Sequence, residues 1–131
     1  QELRDDPSLT WRQGVERFLR DCCRGEGGIA VLSIEEEQEV YRCLTPESFR
    51  MFRRDQRAFF GQVLAVFGVP PETLDPGLFG SLAIAMMMVY KAIPETMPFL
   101  FPETAEDMME FQIRALADEM ERAAGRRAGT P

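Results

Sequence analysis

The sequence predicts an all-α domain, a five-helix bundle. Apolar residues recur at steps of three and four along most of the chain, the period of one helix face. Helix starts and stops punctuate that pattern at clear points. A third observation concerns how the bundle is covered. Residues 76–90, PGLFGSLAIAMMMVY, are fifteen positions without a charge. Wound into a helix they are apolar on every side, where a surface helix keeps a polar stripe. A chain of 131 residues buries roughly two thirds of its unfolded surface. It is not expected to wrap such a helix by itself, so a second molecule, a bound ligand, or both should cover the rest.

The elements follow in order, as one domain over 1–131. The first helix is expected over about 11–24. Thr10 and Gln13 make a capping box at its start, Trp11, Val15, Phe18, Leu19 and Cys22 recur at helical spacing, and Arg24-Gly25 with Gly27-Gly28 stops it. The second is expected over about 29–44. Its front, IAVLSI, is apolar enough for a strand, but Glu35 to Arg42 continue it in strong helix formers with no turn signal between. The third, about 46–67, opens on Thr45 as cap with Pro46 at the first helical position. Phe49, Phe52, Gln56, Phe59, Val63 and Phe67 form its stripe, Phe60 and Leu64 widen it, and Arg50, Arg53, Arg54 and Arg57 point elsewhere.

Gly68 and Pro70-Pro71 end the third helix, and Asp75-Pro76 repeats the cap-plus-proline start for the fourth, about 76–92, which Pro94 is expected to end. The connection IPETMPFLFP carries Ile93, Met97, Phe99, Leu100 and Phe101, too apolar for a wet loop. The fifth helix, about 105–124, is expected to open at Thr104 with Asp107 as capping-box partner. Met109, Ile113, Leu116 and Met120 form one edge, widened by Met108, Gln112 and Ala123. The tail GRRAGTP is expected to fray.

Bulk composition excludes several function classes. Net charge is −7, and fourteen of the fifteen cations are arginines outnumbered by acids. Lys91 is the only cation between Ala58 and Ile113, so no basic stripe for nucleic acid runs through that half. The uncharged run is shorter than the ~20 residues of a membrane span, and no signal peptide is visible. Histidine is absent, which removes imidazole acid–base catalysis, Ser–His and Cys–His pairs, and imidazole metal ligands. Cys22, Cys23 and Cys43 read as reduced thiols of a cytoplasmic protein. No catalytic residue, metal or cofactor is expected.

Four clusters carry competing readings. Glu35, Glu36, Glu37 and Glu39 suit a cation site less well than a solvated helix face, because a bundle di-metal site wants Glu-x-x-His. Cys22 and Cys23 point about 100° apart on a helix, so a thiolate trio with Cys43 gives way to buried core thiols. Seven of eight methionines lie between Met86 and Met120, where adaptable thioethers suit either a core or an interface. Gly77 and Gly80 beside Ser81 lack the strand and Gly-Lys-Ser/Thr of a phosphate loop, and instead allow close approach of another helix.

Taken in order, Trp11 to Cys23, IAVLSIEEEQEVYRCLTPESF, Phe49 to Phe67, GVPPETLDPGLFGSLAIAMMMVY and TAEDMMEFQIRALADEMERA resemble the carboxy-terminal regulatory domain of the TetR family of bacterial transcriptional regulators. The family's amino-terminal helix-turn-helix has no counterpart before Trp11, so DNA binding would belong to residues absent from this chain. The resemblance implies a cytoplasmic homodimer in which the last two long helices of each subunit form a four-helix interface. Leu82, Met86, Val89, Met109, Ile113, Leu116 and Met120 would supply that face. It also implies a cavity for an apolar or aromatic effector, lined by Trp11, Phe18, Phe49, Phe52, Phe59, Met87 and Tyr90, with Gln56 or Tyr90 as polar contact. Effector binding would shift the population of helix arrangements. The alternative is a helical protein–protein interaction module with no small ligand.

Overall fold

A computed structural model of the chain describes residues 9–26, 32–96 and 101–125, and among them every regular element is helical. Five α-helices follow in order: α1 (Trp11–Cys23), α2 (Ile34–Cys43), α3 (Pro46–Val66), α4 (Pro76–Thr96) and α5 (Ala105–Ala123), with a 3-10 turn, Pro102–Thr104, ahead of α5.

Local chemistry sets the boundaries. Thr10 caps α1 and closes the expected box with Gln13, whose side chain accepts from the Thr10 N–H at 3.0 Å. Thr45 caps α3 through the Ser48 N–H at 3.0 Å, with Pro46 in the first turn. Asp75 accepts from the Leu78 N–H at 3.0 Å and so caps α4. Gly68 ends α3 with φ +72°, a left-handed conformation that glycine adopts without a Cβ clash. Val69 N–H then reaches back to the Leu64 carbonyl at 2.9 Å.

Three expected boundaries are corrected. Ile29 lies outside the described residues, but Leu32 and Ser33 are not helical, and α2 starts at Ile34. The cause is a second capping box: Ser33 accepts from Glu36 N–H at 3.1 Å while Glu36 accepts from Ser33 N–H at 2.9 Å. Pro94 does not end α4, which continues to Thr96; so near the terminus it removes one backbone bond rather than interrupting a ladder. The Thr104–Asp107 box does not form. Thr104 donates its hydroxyl to the Phe101 carbonyl at 2.8 Å and leads from the 3-10 turn straight into α5. Met97, Phe99, Leu100 and most of the tail fall outside the described residues.

The core lies between α1, α4, α5 and the carboxyl half of α3. Val15, Leu19, Leu64, Phe79, Met109, Ile113 and Met120 are its fully buried members. Along its outer side, α1 is clamped to α5 by ion pairs: Arg12 to Asp118 at 2.7 Å, Arg20 to Glu110 at 2.6 Å and Arg24 to Glu106 at 3.1 Å. The α3–α4 crossing is tight because Gly80 lets the buried Phe60 ring lie against its backbone, as the small residues of α4 led one to expect.

α2 and the amino half of α3 stand apart from this core. No residue of α2 is buried, and Phe60 and Leu64 are the buried residues of α3. Only the last third of α3 is therefore held by apolar burial.

Candidate functional site

Among the described residues, exposed apolar side chains gather in two runs, with Phe101 and Phe111 exposed singly elsewhere. The first is the outer side of α4. Leu78, Ser81, Leu82 and Ala85 are exposed there, and Met88 and Val89 are half-buried. Leu78, Leu82, Ala85 and Val89 step by four, three and four, which keeps them on one side of the helix. Leu78 is 52% and Leu82 45% exposed. The opposite side of α4 packs Phe79, Ala83, Met86 and Met87 into the core. At 21 residues α4 is also, by length and composition alone, the one described helix apolar enough to cross a membrane; its inner side is engaged in this core.

The second bare region is the arm formed by α2 and the first two thirds of α3. Ile34, Val40 and Tyr41 on α2 and Met51, Phe52 and Phe59 on α3 are all exposed. The two helices meet near their junction, where the Tyr41 and Phe49 rings pack edge to face at 5.0 Å. Charge is segregated along this arm. α2 carries Glu35, Glu36, Glu37 and Glu39 against Arg42, whereas residues 46–57 carry Arg50, Arg53, Arg54 and Arg57 against Glu47 and Asp55. The Arg53 guanidinium lies over the Phe49 ring at 5.8 Å, and Arg57 reaches Asp75 at 2.6 Å.

The eight residues expected to line a cavity divide into separate groups. Trp11 donates its indole N–H to the Phe67 carbonyl at 2.7 Å and packs edge-on against the Phe67 ring, which Phe18 also touches. Met87 is buried in the core. Tyr90 donates its hydroxyl to Glu106, which also accepts from Arg24. That hydrogen bond holds the Tyr90 proton above its usual range and the Glu106 carboxyl below its own. Trp11 and Arg24 stand at opposite ends of α1, roughly 20 Å apart along the helix at 1.5 Å per residue, and Trp11, Phe18 and Tyr90 all pack against the one core cluster that holds Met87. Phe49, Phe52, Gln56 and Phe59 lie along α3, with Phe52 and Phe59 exposed and Phe49 and Gln56 half-buried.

The residues expected at a dimer face lie mostly inside the single chain. Met86, Met109, Ile113, Leu116 and Met120 are buried within the single chain. The reason is the salt-bridged clamp: α5 turns its apolar edge inward onto α1, leaving Arg114, Asp118 and Arg122 outside. Of that set Leu82 is exposed and Val89 half-buried, and both lie on the α4 stripe. Sequence reasoning missed Leu78 and Ala85, although the four-three-four spacing through Leu82 marks them.

The cysteines do not assemble a thiolate trio. Cys22 and Cys23 are both buried in α1 and Cys43 is exposed on α2. Burial pushes the Cys22 thiol up to about 12 and the Cys23 thiol up to about 11, which keeps them protonated and unreactive. Comparison of the chain with family models, with curated proteins and with solved structures returned no match.

Proposed function

We propose that this chain is a dimerising helical module of regulatory type, working by binding rather than turnover, and that α4 supplies its twofold contact. One observation carries the reading: the stripe Leu78, Leu82, Ala85 and Val89 runs three turns without a charge, its first three members exposed and Val89 half-buried among the described residues. An uncharged stripe complements itself about a twofold axis, since no like charges meet. Ser81 and Ala85 are small enough to let a second helix come close. Burying the open half of Leu78 and Leu82 yields roughly 1 kcal/mol per side chain. The partner is a second copy, and the expected setting is the cytoplasm.

Light scattering on the purified chain at micromolar concentration tests this. The expected mass is twice 14.9 kDa, and Leu82→Glu should return the single-chain mass with an unchanged helical circular dichroism spectrum. A wild-type monomer, or a Leu82→Glu protein of unaltered mass, would refute the contact.

A finer reading adds an apolar effector sensed on behalf of a DNA-binding domain, as in a TetR-like regulator. The observation favouring it is the α3 strip, where Phe52 and Phe59 flank the half-buried amide of Gln56. A sensor gains thermal stability from some lipophilic aromatic compound, and Phe59→Ser should abolish that gain. A pure interaction module ignores every such compound.

A further inference from the structure

The α2–α3 arm is an open V. α2 is joined to α3 by Leu44 and Thr45 alone, a connection short enough for two helices to close on each other in an antiparallel pair. They do not close. Beyond the Tyr41–Phe49 contact, Ile34 and Val40 stay exposed on one limb, and Met51, Phe52 and Phe59 on the other. One limb is acidic and the other basic. The charges suit a twofold arrangement in which the acidic limb of one copy faces the basic limb of its mate, twice over.

We propose that the arms exchange between two copies of this chain, α2 of each lying against the amino half of α3 of the other. The inference rests on the dimer reading above and adds to it a second contact. Two properties of the arm select a second copy as occupant. The first is its charge: four glutamates against one arginine on α2, four arginines against two acids on residues 46–57. The second is area. The six exposed apolar side chains of the arm, each about half open, leave on the order of 500 Å² of apolar surface, while one partner of a standard interface buries ~800 Å², a little over half of it apolar. Exchange of an identical element is a low-cost route to a dimer.

Two charge-reversed chains test the exchange. One carries Arg50→Glu with Arg53→Glu; the other carries Glu35→Arg with Glu37→Arg, Glu36 being spared because it closes the α2 capping box. All four positions are exposed, so both chains should keep the parent's helical circular dichroism spectrum. In sedimentation velocity at low salt, each reversed chain alone should dissociate at least about tenfold more readily than the parent. Mixed in equal amounts they should recover to within about threefold, because both limb pairs of the mixed dimer are again opposite in charge.

A closure within one chain cannot be repaired by mixing, so absence of recovery overturns the exchange. So does an unchanged dissociation constant in either reversed chain. If those results come with a dimer that Leu82→Glu still breaks, the α4 contact stands and the exchange falls. If mixing restores association while Leu82→Glu has no effect, the exchange stands and the α4 contact falls.

Discussion

Replacing Gly80 with alanine should weaken the fold, whereas the same change at Gly61 should strengthen it. Both glycines lie inside helices, where alanine is favoured over glycine by about 1 kcal/mol. At Gly61 a Cβ would sit 3.6 Å from the Pro76 Cγ, an ordinary contact, so roughly 0.5–1 kcal/mol of that preference is realised. At Gly80 a Cβ would fall 2.5 Å from Cδ2 and 2.9 Å from Cε2 of Phe60. That is about 1 Å inside the ~3.5–4.0 Å optimum for carbon contacts. Phe60 has little room to yield, being buried with its ring edge-packed at 5.2 Å from Phe59 and 5.9 Å from Phe79. Overpacking of this kind costs about 1–3 kcal/mol. After the helix preference is set against it, Gly80→Ala should lose up to about 2 kcal/mol, or up to roughly 7 °C in Tm for a chain of this size. Urea unfolding followed by circular dichroism measures both variants. Adding Phe60→Leu to Gly80→Ala should recover about 1 kcal/mol relative to the sum of the single changes. A Gly80→Ala protein as stabilised as Gly61→Ala would show that the α3–α4 crossing is not where it is placed.

Two further outcomes follow from the packing and the charges. Ile113→Ala should lower unfolding free energy by about 2–5 kcal/mol at any protein concentration, since Ile113 is fully buried in its own chain; a loss that shrinks as concentration rises would return Ile113 to an interface. The Glu110 carboxyl is held below its usual 4.5, first by its hydrogen bond from Arg20. A depressed carboxyl stabilises the fold fully above the unfolded value and loses that effect as pH falls through the folded one. The urea midpoints of the parent and Glu110→Gln should therefore differ at neutral pH and converge as pH falls below 4.5 and through the lowered folded value. A gap that persists at the acid end would sink the pairing.

Much of the fold is legible from residues whose chemistry acts locally. Thr10 with Gln13, Thr45 with Pro46, Asp75 with Pro76, and Gly68 each set a helix end through a bond or a backbone conformation within a few positions. α2 is misread at its start because the apolar run around Ile29 to Leu32 drew attention away from Ser33 and Glu36, a box with the same spacing as Thr10 and Gln13. Thr104 has the right partner three residues on, but the 3-10 turn at Pro102 uses its hydroxyl first. The site is less legible for a different reason. Periodicity shows that α5 has an apolar edge of Met109, Ile113, Leu116 and Met120, and says nothing about whether that edge meets its own chain or another. Val15 and Leu19 of α1 decide the matter by filling the core against it, with Arg12, Arg20 and Arg24 paired along the rim, a tertiary fact with no local trace.

Those same three arginines limit how the molecule can move. From Arg12 the next two lie eight and then four residues along α1, while their acidic mates Asp118, Glu110 and Glu106 recede by eight and then four along α5. The rungs are thus commensurate, and a slip of one helical turn in either direction would put every cation out of reach of its own carboxylate at once. A slip of that kind is opposed by all three rungs together, whereas a tilt of α1 on α5 leaves each cation beside its own carboxylate.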